Sequence, residues 1–368
     1  MKFSITRSRF LEALQTVQNV VTGKGALQIL QNALIKAEGN TISIVTTDVD
    51  ISEQSTIELS ADVDAAGQTT LPIKRLVGVI RELSDDIVEI DVDDNDVANV
   101  KCGSSYFKFI GLPARDFPPI PLAEGEFSYS VQRATLREML RKTSYAVSLD
   151  ETRRVLNGVL LSFKGGKLTV VGTDGRRLAL VEKEVEFPEG EDRDMILPSK
   201  AVSELTRMLD GEGEVRIFPK QNQAVFSWDG KQLATKLIDG HYPDFAQVIP
   251  RQCEERVIIE RDSFLAAIRR VSTVTMERDA PLSFTFTANQ LTIRTNAAGE
   301  GEGRDTLPVK YVGKEITIIF NPEYVMEPLR VIDDDDIIFE MTDGQCPAVI
   351  KCSIPFLYVL MPLRNTQS

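Results

Sequence analysis

The sequence predicts an α+β chain built from three copies of one domain, and three observations predict it. A turn recurs: Gly172-Thr-Asp-Gly-Arg-Arg-Leu-Ala-Leu180 is echoed upstream by Thr46-Thr-Asp-Val-Asp-Ile-Ser-Glu53 and more faintly downstream by Thr295-Asn-Ala-Ala-Gly-Glu300. Each copy follows a short apolar strand (Thr41–Val45, Leu168–Val171, Leu291–Arg294) and precedes another, and self-similarity at a fixed period marks a repeat architecture. Landmarks around the turn recur too. Leu71-Pro72, Leu197-Pro198 and Phe320-Asn321-Pro322 each open a helical pattern, while Asp116-Phe-Pro118 and His241-Tyr-Pro243 each close a unit. Finally, Phe10, Leu136 and Phe264 sit early in amphipathic helices, 126 and 128 residues apart. On that period the 368 residues divide into domains at 1–122, 123–251 and 252–368.

The elements follow from periodicity. Met1–Ile5 reads as a strand. Phe10, Leu11, Leu14, Val17 and Val21 then recur at helical spacing. Residues 40–59 alternate in the strand manner around the Thr46–Asp50 turn. Pro72 opens a second helix with Ile73, Leu76, Val77, Ile80 and Leu83 on one face and Lys74, Arg75 and Arg81 on the other. Strands follow at Ile87–Val92, Ala98–Cys102 and Tyr106–Ile110. In repeat two, Arg133, Arg137 and Arg141 recur at i, i+4 and i+8 beside Lys142, opposite Leu136, Met139, Leu140, Thr143 and Val147. Its second helix turns Val202, Leu205 and Leu209 inward, with Lys200 and Arg207 elsewhere. In repeat three, Phe264, Leu265, Ile268 and Val271 face in, and Arg261, Arg269 and Arg270 do not. Asn321-Pro322 is a helix start in which Asn caps and Pro fits the first position. Pro328 should bend or shorten that helix.

Charge is sorted by element. The chain carries 42 Lys and Arg against 55 Asp and Glu, a net −13. The six helical stretches 7–21, 73–83, 132–147, 199–209, 261–272 and 322–332 hold 15 basic against 7 acidic residues, a net +8 that leaves −21 for the remainder. Local patches, not the total, decide what a surface attracts. A solvated basic face explains any one helix; five net-positive helices of six in an acidic chain point to one shared electrostatic environment.

Several function classes lack support. There is no G-x-x-x-x-G-K-[S/T] phosphate loop, and Gly299-Glu-Gly-Glu-Gly303 is too acidic to hold phosphate. Asp91-Val-Asp-Asp-Asn-Asp96 departs from a calcium loop, with Asp96 at the glycine position and Cys102 at the glutamate position; a solvated hairpin turn fits better, as it does for Asp333–Asp336. The lone His241 rules against a catalytic triad. Cys102, Cys253, Cys346 and Cys352 form no C-x-x-C pair, so reduced thiols are expected in place of a zinc site. Asp48 and Asp174 suit turns that hydrogen-bond their own backbone better than catalysis. No metal, cofactor or catalytic set is expected. No apolar run reaches membrane-spanning length, and Met1-Lys-Phe-Ser-Ile-Thr lacks a signal-peptide core, so a cytoplasmic protein is expected.

Seven segments together carry a resemblance that spans the whole chain: Met1-Lys-Phe, Leu112-Pro-Ala-Arg-Asp-Phe-Pro118, Leu156-Asn-Gly158, Thr173-Asp-Gly-Arg-Arg-Leu178, Leu197-Pro-Ser-Lys200, Leu237-Ile-Asp-Gly-His-Tyr-Pro-Asp244 and Tyr358-Val-Leu-Met-Pro-Leu-Arg364. The chain resembles the bacterial sliding clamps, the β subunits of DNA polymerase III. The resemblance implies three clamp domains, each with two helices and two antiparallel sheets, forming half of a closed ring. Two chains would close head to tail around duplex DNA, without sequence preference, and tether the replicative polymerase, the clamp loader and repair proteins through short peptide motifs. Such a protein is a processivity factor and no enzyme. The alternative is an ordinary basic-surface DNA-binding protein without ring topology. Arg176 stands where the family often has histidine, Gln247 where arginine is common, and the chain runs on to Asn365-Thr-Gln-Ser368.

The resemblance also assigns residues. Leu156, Thr173, Gly175, Arg176, Arg177 and Leu178 would form one wall of a partner-peptide pocket, beside Pro243, Gln247 and Val248. Val359, Leu360, Met361, Pro362, Leu363 and Arg364 would close it, with Asn321 and Tyr324 at its rim. Lys24, Lys74, Arg81, Arg133, Arg137, Arg141, Lys142, Lys200, Arg207, Arg269 and Arg270 would face DNA. Phe107 and Phe109 would meet Thr273 and Val274 of a second chain, with Glu300 and Glu302 opposite Lys74 and Lys108.

Overall fold

The computed structural model describes residues 1–21, 27–58, 63–84, 86–125, 127–188, 190–277, 279–297, 301–353 and 355–363. Lys24, Glu300 and Arg364 therefore lie outside the described residues, as does the end of the third turn.

One element order is repeated three times: strand, helix, four strands, helix, three strands. Repeat one runs β1 (Lys2–Thr6), α1 (Arg7–Val17), β2 (Asn32–Glu38), β3 (Thr41–Thr47), β4 (Ile51–Glu58), β5 (Gly67–Pro72), α2 (Ile73–Glu82), β6 (Ile87–Val92), β7 (Val97–Cys102) and β8 (Ser105–Ile110). Repeat two runs β9 (Tyr129–Gln132), α3 (Arg133–Thr143), β10 (Gly158–Lys164), β11 (Lys167–Thr173), β12 (Arg177–Glu184), β13 (Arg193–Pro198), α4 (Ser199–Met208), β14 (Glu214–Pro219), β15 (Gln223–Trp228) and β16 (Lys231–Lys236). Repeat three runs β17 (Glu255–Glu260), α5 (Arg261–Ser272), β18 (Leu282–Thr287), β19 (Gln290–Ala297), β20 (Gly301–Pro308), β21 (Ile316–Phe320), α6 (Pro322–Val331), β22 (Asp336–Met341), β23 (Ala348–Lys351) and β24 (Phe356–Leu360).

The expected two sheets per repeat are partly fused. The described strands form two four-stranded sheets, β1-β6-β7-β8 and β20-β19-β18-β21, and two eight-stranded ones. The order β5-β2-β3-β4-β16-β15-β14-β9 joins repeats one and two; β13-β10-β11-β12-β24-β23-β22-β17 joins repeats two and three. Both seams are antiparallel. Ile51 pairs with Thr235 on one, and Arg177 pairs with Leu360 on the other. By contact, the chain consequently sorts into two compact units, Met1–Ala134 with Ser203–Leu237 and Thr135–Val202 with Ile238–Ser368, each holding one eight-stranded and one four-stranded sheet.

Each core follows from the periodicity. In the first unit Phe3 and Ile5 of β1, Phe10 and Leu14 of α1, Leu76 and Ile80 of α2, Ile42 and Ile44 of β3 and Val88 and Ile90 of β6 form one buried cluster. In the second, Phe264, Phe284, Phe320 and Phe339 make a run of ring contacts with centroids 5.7–6.2 Å apart, spacings favourable for aromatic pairs. The Asn321 side chain accepts from the Glu323 N–H at 2.9 Å, with Pro322 at the first helical position. Helix α6 continues through Pro328 and ends at Val331, one residue short of the expected stretch.

Candidate functional site

The recurring turn is one hydrogen-bonded object built twice. In repeat two, the Thr173 hydroxyl donates to the Arg177 carbonyl and accepts from the Gly175 N–H. Asp174 Oδ1 accepts from the N–H groups of Arg176 and Arg177 at 2.8 and 3.0 Å. In repeat one, Thr47 and Asp48 make the matching bonds to Ile51, Val49 and Asp50. The third residue is left-handed in both, Gly175 at φ 83° and Val49 at φ 85°. Glycine takes that conformation without cost, and a β-branched residue does not. One carboxylate oxygen of each aspartate thus accepts from the backbone, as a turn role requires.

Beside the second turn lies the chain's end. Strand β24 stops at Leu360, before Pro362, which has no N–H to continue a ladder. The segment beyond is still held: the Met361 N–H donates to the Arg176 carbonyl at 2.9 Å, and the Leu363 N–H donates to the Ile319 carbonyl at 2.8 Å. Between tail and turn, Leu160, Val171, Leu178, Leu180, Ile196 and Val359 form an apolar cluster, with Val155, Tyr242 and Phe245 packed against it. Met361 and Val248 stay exposed at 41% and 47%. Leu156 and Thr173 are buried, Pro243 and Gln247 are exposed, and Asn321 and Tyr324 are half-buried. The Gln247 amide donates to Asp244 at 2.9 Å. The cluster residues Val155, Leu160, Tyr242 and Phe245 escaped sequence reasoning. Their signal was the continuous apolar run of β10 and the aromatic pair flanking Pro243.

Arg177 is placed differently from the sequence expectation. Its guanidinium is turned inward, with the side chain 8% exposed. It binds Asp174 Oδ2 at 3.1 Å, donates to the Tyr145 carbonyl at 2.7 Å, and pairs with Glu327. It also lies over the Tyr324 ring, 4.2 Å from the centroid. With so many fixed partners it braces the turn against α6, and Gly175 and Arg176 are the residues of the turn left exposed. Burial raises the Tyr145 and Tyr358 hydroxyls well above the ordinary tyrosine range, so both stay protonated.

The basic helices divide into outward and engaged residues. Lys74, Arg81, Arg137 and Arg269 are exposed, and Lys200 is half-buried. Arg141 is exposed and reaches Asp333 at 2.9 Å; Arg270 reaches Asp305 at 2.7 Å. Two assignments need correction. The Lys142 side chain is 2% exposed and bonded to Glu138. The Arg133 side chain is 10% exposed and paired with Asp229 at 3.0 Å. Neither presents a charge to solvent: Lys142 is bonded to a carboxylate one turn back on its own helix, and Arg133 to one in the β15–β16 turn. Arg207 is intermediate: it donates to the Thr16 carbonyl at 2.8 Å and contacts Glu53 at 3.3 Å and Glu204 at 2.7 Å.

Among the strands that end a sheet, two carry residues singled out above. β8 borders β1-β6-β7-β8, and β20 borders β20-β19-β18-β21. On β8, Tyr106, Phe107 and Ile110 are 56%, 37% and 77% exposed. Phe109 does not belong with them: at 8% exposure it packs in the repeat-one core, although it shares a pleat face with Phe107. Tyr106 and Ile110 were the missed members of this edge. Thr273 is exposed at the end of α5, and Val274 packs close to the Gly303 backbone of β20. Glu302 is exposed on β20.

These features define a class: a three-repeat α+β scaffold whose described residues assemble no catalytic constellation, with an apolar cluster beside the second turn. The DNA polymerase III beta subunit matches in three consecutive segments, its N-terminal domain over residues 1–121, central domain over 130–244 and C-terminal domain over 246–364. The beta sliding clamp of Chlamydia muridarum (strain MoPn / Nigg) is 32% identical over 364 residues, covering 99% of each chain. The crystal structure of the Pseudomonas aeruginosa DNA polymerase III subunit beta superposes with a TM-score of 0.95 at 30% identity, covering 99% of this chain and 100% of that one. The Bacillus subtilis DNA polymerase sliding clamp gives 0.94 at 26%, with 99% of each covered. The chain belongs to the bacterial DNA polymerase III β subunit family, the sliding clamps: it is a DNA sliding clamp and processivity factor, and not an enzyme. A plain surface binder is not favoured. No helix among the described residues is long and apolar enough to cross a membrane.

Proposed function

We propose that two copies of this chain close into a ring of six repeats around duplex DNA in the cytoplasm. The domains meet near residues 122 and 251, and the groove beside Thr173–Leu178 captures short peptides of the polymerase, the clamp loader and repair proteins. The edge strands β8 and β20 support the pairing, since a two-fold arrangement with two such joints leaves neither edge exposed. Lys74, Arg81, Arg137, Arg141, Lys200, Arg207, Arg269 and Arg270 supply phosphate contacts that carry no sequence information.

The observation that carries the groove reading is the tethered chain end, Met361 on Arg176 and Leu363 on Ile319, over an apolar cluster. Two aliphatic or aromatic anchors buried there contribute roughly 1.5–3 kcal/mol each before ordering costs. A single free peptide therefore binds on the order of micromolar, weakly enough for several partners to share the site by turns. Met361, flexible and polarisable, suits varied fillings. Deleting Met361 onward should abolish binding of a glutamine-led peptide ending in leucine and phenylalanine, measured by fluorescence anisotropy, while the dimer persists in light scattering. Unchanged affinity in the deletion would place the site elsewhere.

A further inference from the structure

We propose a second peptide-docking groove, on the first unit, at the repeat-one copy of the turn; the choice of a peptide as occupant rests on the groove reading above. The correspondence is positional and extends beyond the turn itself. The Lys236 N–H donates to the Asp50 carbonyl at 2.9 Å, just as Met361 does to Arg176. Ser52 pairs with Ala234 on one seam where Leu178 pairs with Val359 on the other. The linker Pro118-Pro-Ile-Pro121 borders this site as Pro243 and its successors border the C-terminal groove. These walls enclose a cavity of about 200 Å³ lined by Val49, Ile51, Ile120, Gln223, Thr235 and Lys236, among others. That is below the usual range for a drug-sized ligand and is suited to one or two side chains.

The two grooves differ in a way that states the occupant's chemistry. In the C-terminal groove the floor is apolar. Here Ser52 and Ala234 replace the two large floor residues, and Ser52 and Gln223 add hydrogen-bonding groups. The apolar surface moves instead to the rim, where Val49 is 51% exposed and Pro119 is exposed. Lys236 and Asp50 pair at 3.0 Å across that rim, so it carries no net charge. The partner that fits is an uncharged extended peptide. One leucine- or valine-sized side chain would lie on Val49, Pro119 and Ile120, and a neighbouring hydroxyl or amide would reach the floor. With only one anchor, affinity should be about tenfold or more below that of the C-terminal groove.

The full chain, methyl-labelled on Ile, Leu and Val, would be titrated with a glutamine-led pentapeptide ending in two leucines. Methyls of Val49, Ile51 and Ile120 should shift with a midpoint at least tenfold above that of Leu178 and Val359. Ile120→Asp should remove the first set of shifts only. Val49→Gly, which relaxes the left-handed backbone and so does not endanger the fold, should weaken them. Deletion from Met361 should remove only the second set. Shifts confined to Leu178 and Val359 up to millimolar peptide would overturn the second groove and leave the first intact. Shifts confined to Val49, Ile51 and Ile120 would support the second groove and refute the C-terminal one. No shift at either set would overturn both.

Discussion

Pro328 has no N–H to give the Tyr324 carbonyl one turn earlier, and the buried Tyr358 hydroxyl donates to that carbonyl at 2.8 Å instead. A helix with an internal proline is thereby anchored to the strand that leads into the tail. Tyr358→Phe should cost about 1 kcal/mol by leaving the carbonyl unpaired. In a Pro328→Ala background, where the backbone supplies the missing donor, it should cost less. Equal costs in the two backgrounds, from a double-mutant cycle in urea, would show that the two groups are not coupled. Glu53 gives a second residue-scale expectation. Its side chain is wholly buried, and burial, reinforced by the neighbouring Glu204 carboxyl and opposed by Arg207, pushes its pKa from 4.5 up to about 8. Between those values the folded chain keeps a proton that the unfolded chain has released. The contribution is therefore fully present below about pH 4.5 and falls as pH rises towards 8. Glu53→Gln removes this dependence, so stability relative to the parent should climb with pH by up to ~1.4 kcal/mol per unit across that window. Parallel stability curves between pH 5 and 8 would contradict the assignment.

At the scale of elements, helices were readable because their apolar faces recur at 3.6 residues: the six expected stretches contain the six described α-helices. The strands Ile87–Val92, Val97–Cys102 and Ser105–Ile110 were readable from alternation. The seams were not. Nothing local in Ile51–Ser55 marks Lys231–Thr235 as its partner, since that pairing is set by tertiary packing between repeats. The inward turn of Arg177 and Lys142 was equally hidden, because a charged residue's periodicity does not show whether a carboxylate waits beneath it. Phe109 shows the same limit at a strand: two aromatics two residues apart share a face, but which of them the fold covers depends on the neighbouring sheet. The distinction can be tested. Phe107→Asp should convert the dimer to folded monomers in analytical ultracentrifugation. Phe109→Asp should destabilise repeat one itself, typically by several kcal/mol for a charge placed in a core. A Phe107→Asp protein that sediments as a dimer would remove β8 from the interface.

At the scale of the whole molecule, repetition is the organising fact. One ten-element unit occurs three times among the described residues, and its middle copy is divided between two fused sheets, giving each compact unit a turn and a seam of the same design. Charge follows the same logic, with basic residues concentrated on helices and acidic ones on strands and loops of a net −13 chain. The net charge does not keep basic local patches from DNA, and a closed ring would add topology to whatever those patches contribute. Neutralising Arg137, Arg269 and Arg270 together should hinder loading and shorten sliding without dissolving the dimer; unaltered loading would move the duplex to another face. The central claim is encirclement, and the most direct test uses labelled protein loaded onto nicked circular DNA, then challenged with high salt before and after one restriction cut. Encirclement predicts retention on the circle in salt and rapid loss once the circle is linear. Salt-sensitive binding that is the same on circular and linear DNA, as expected of a surface binder, would contradict it.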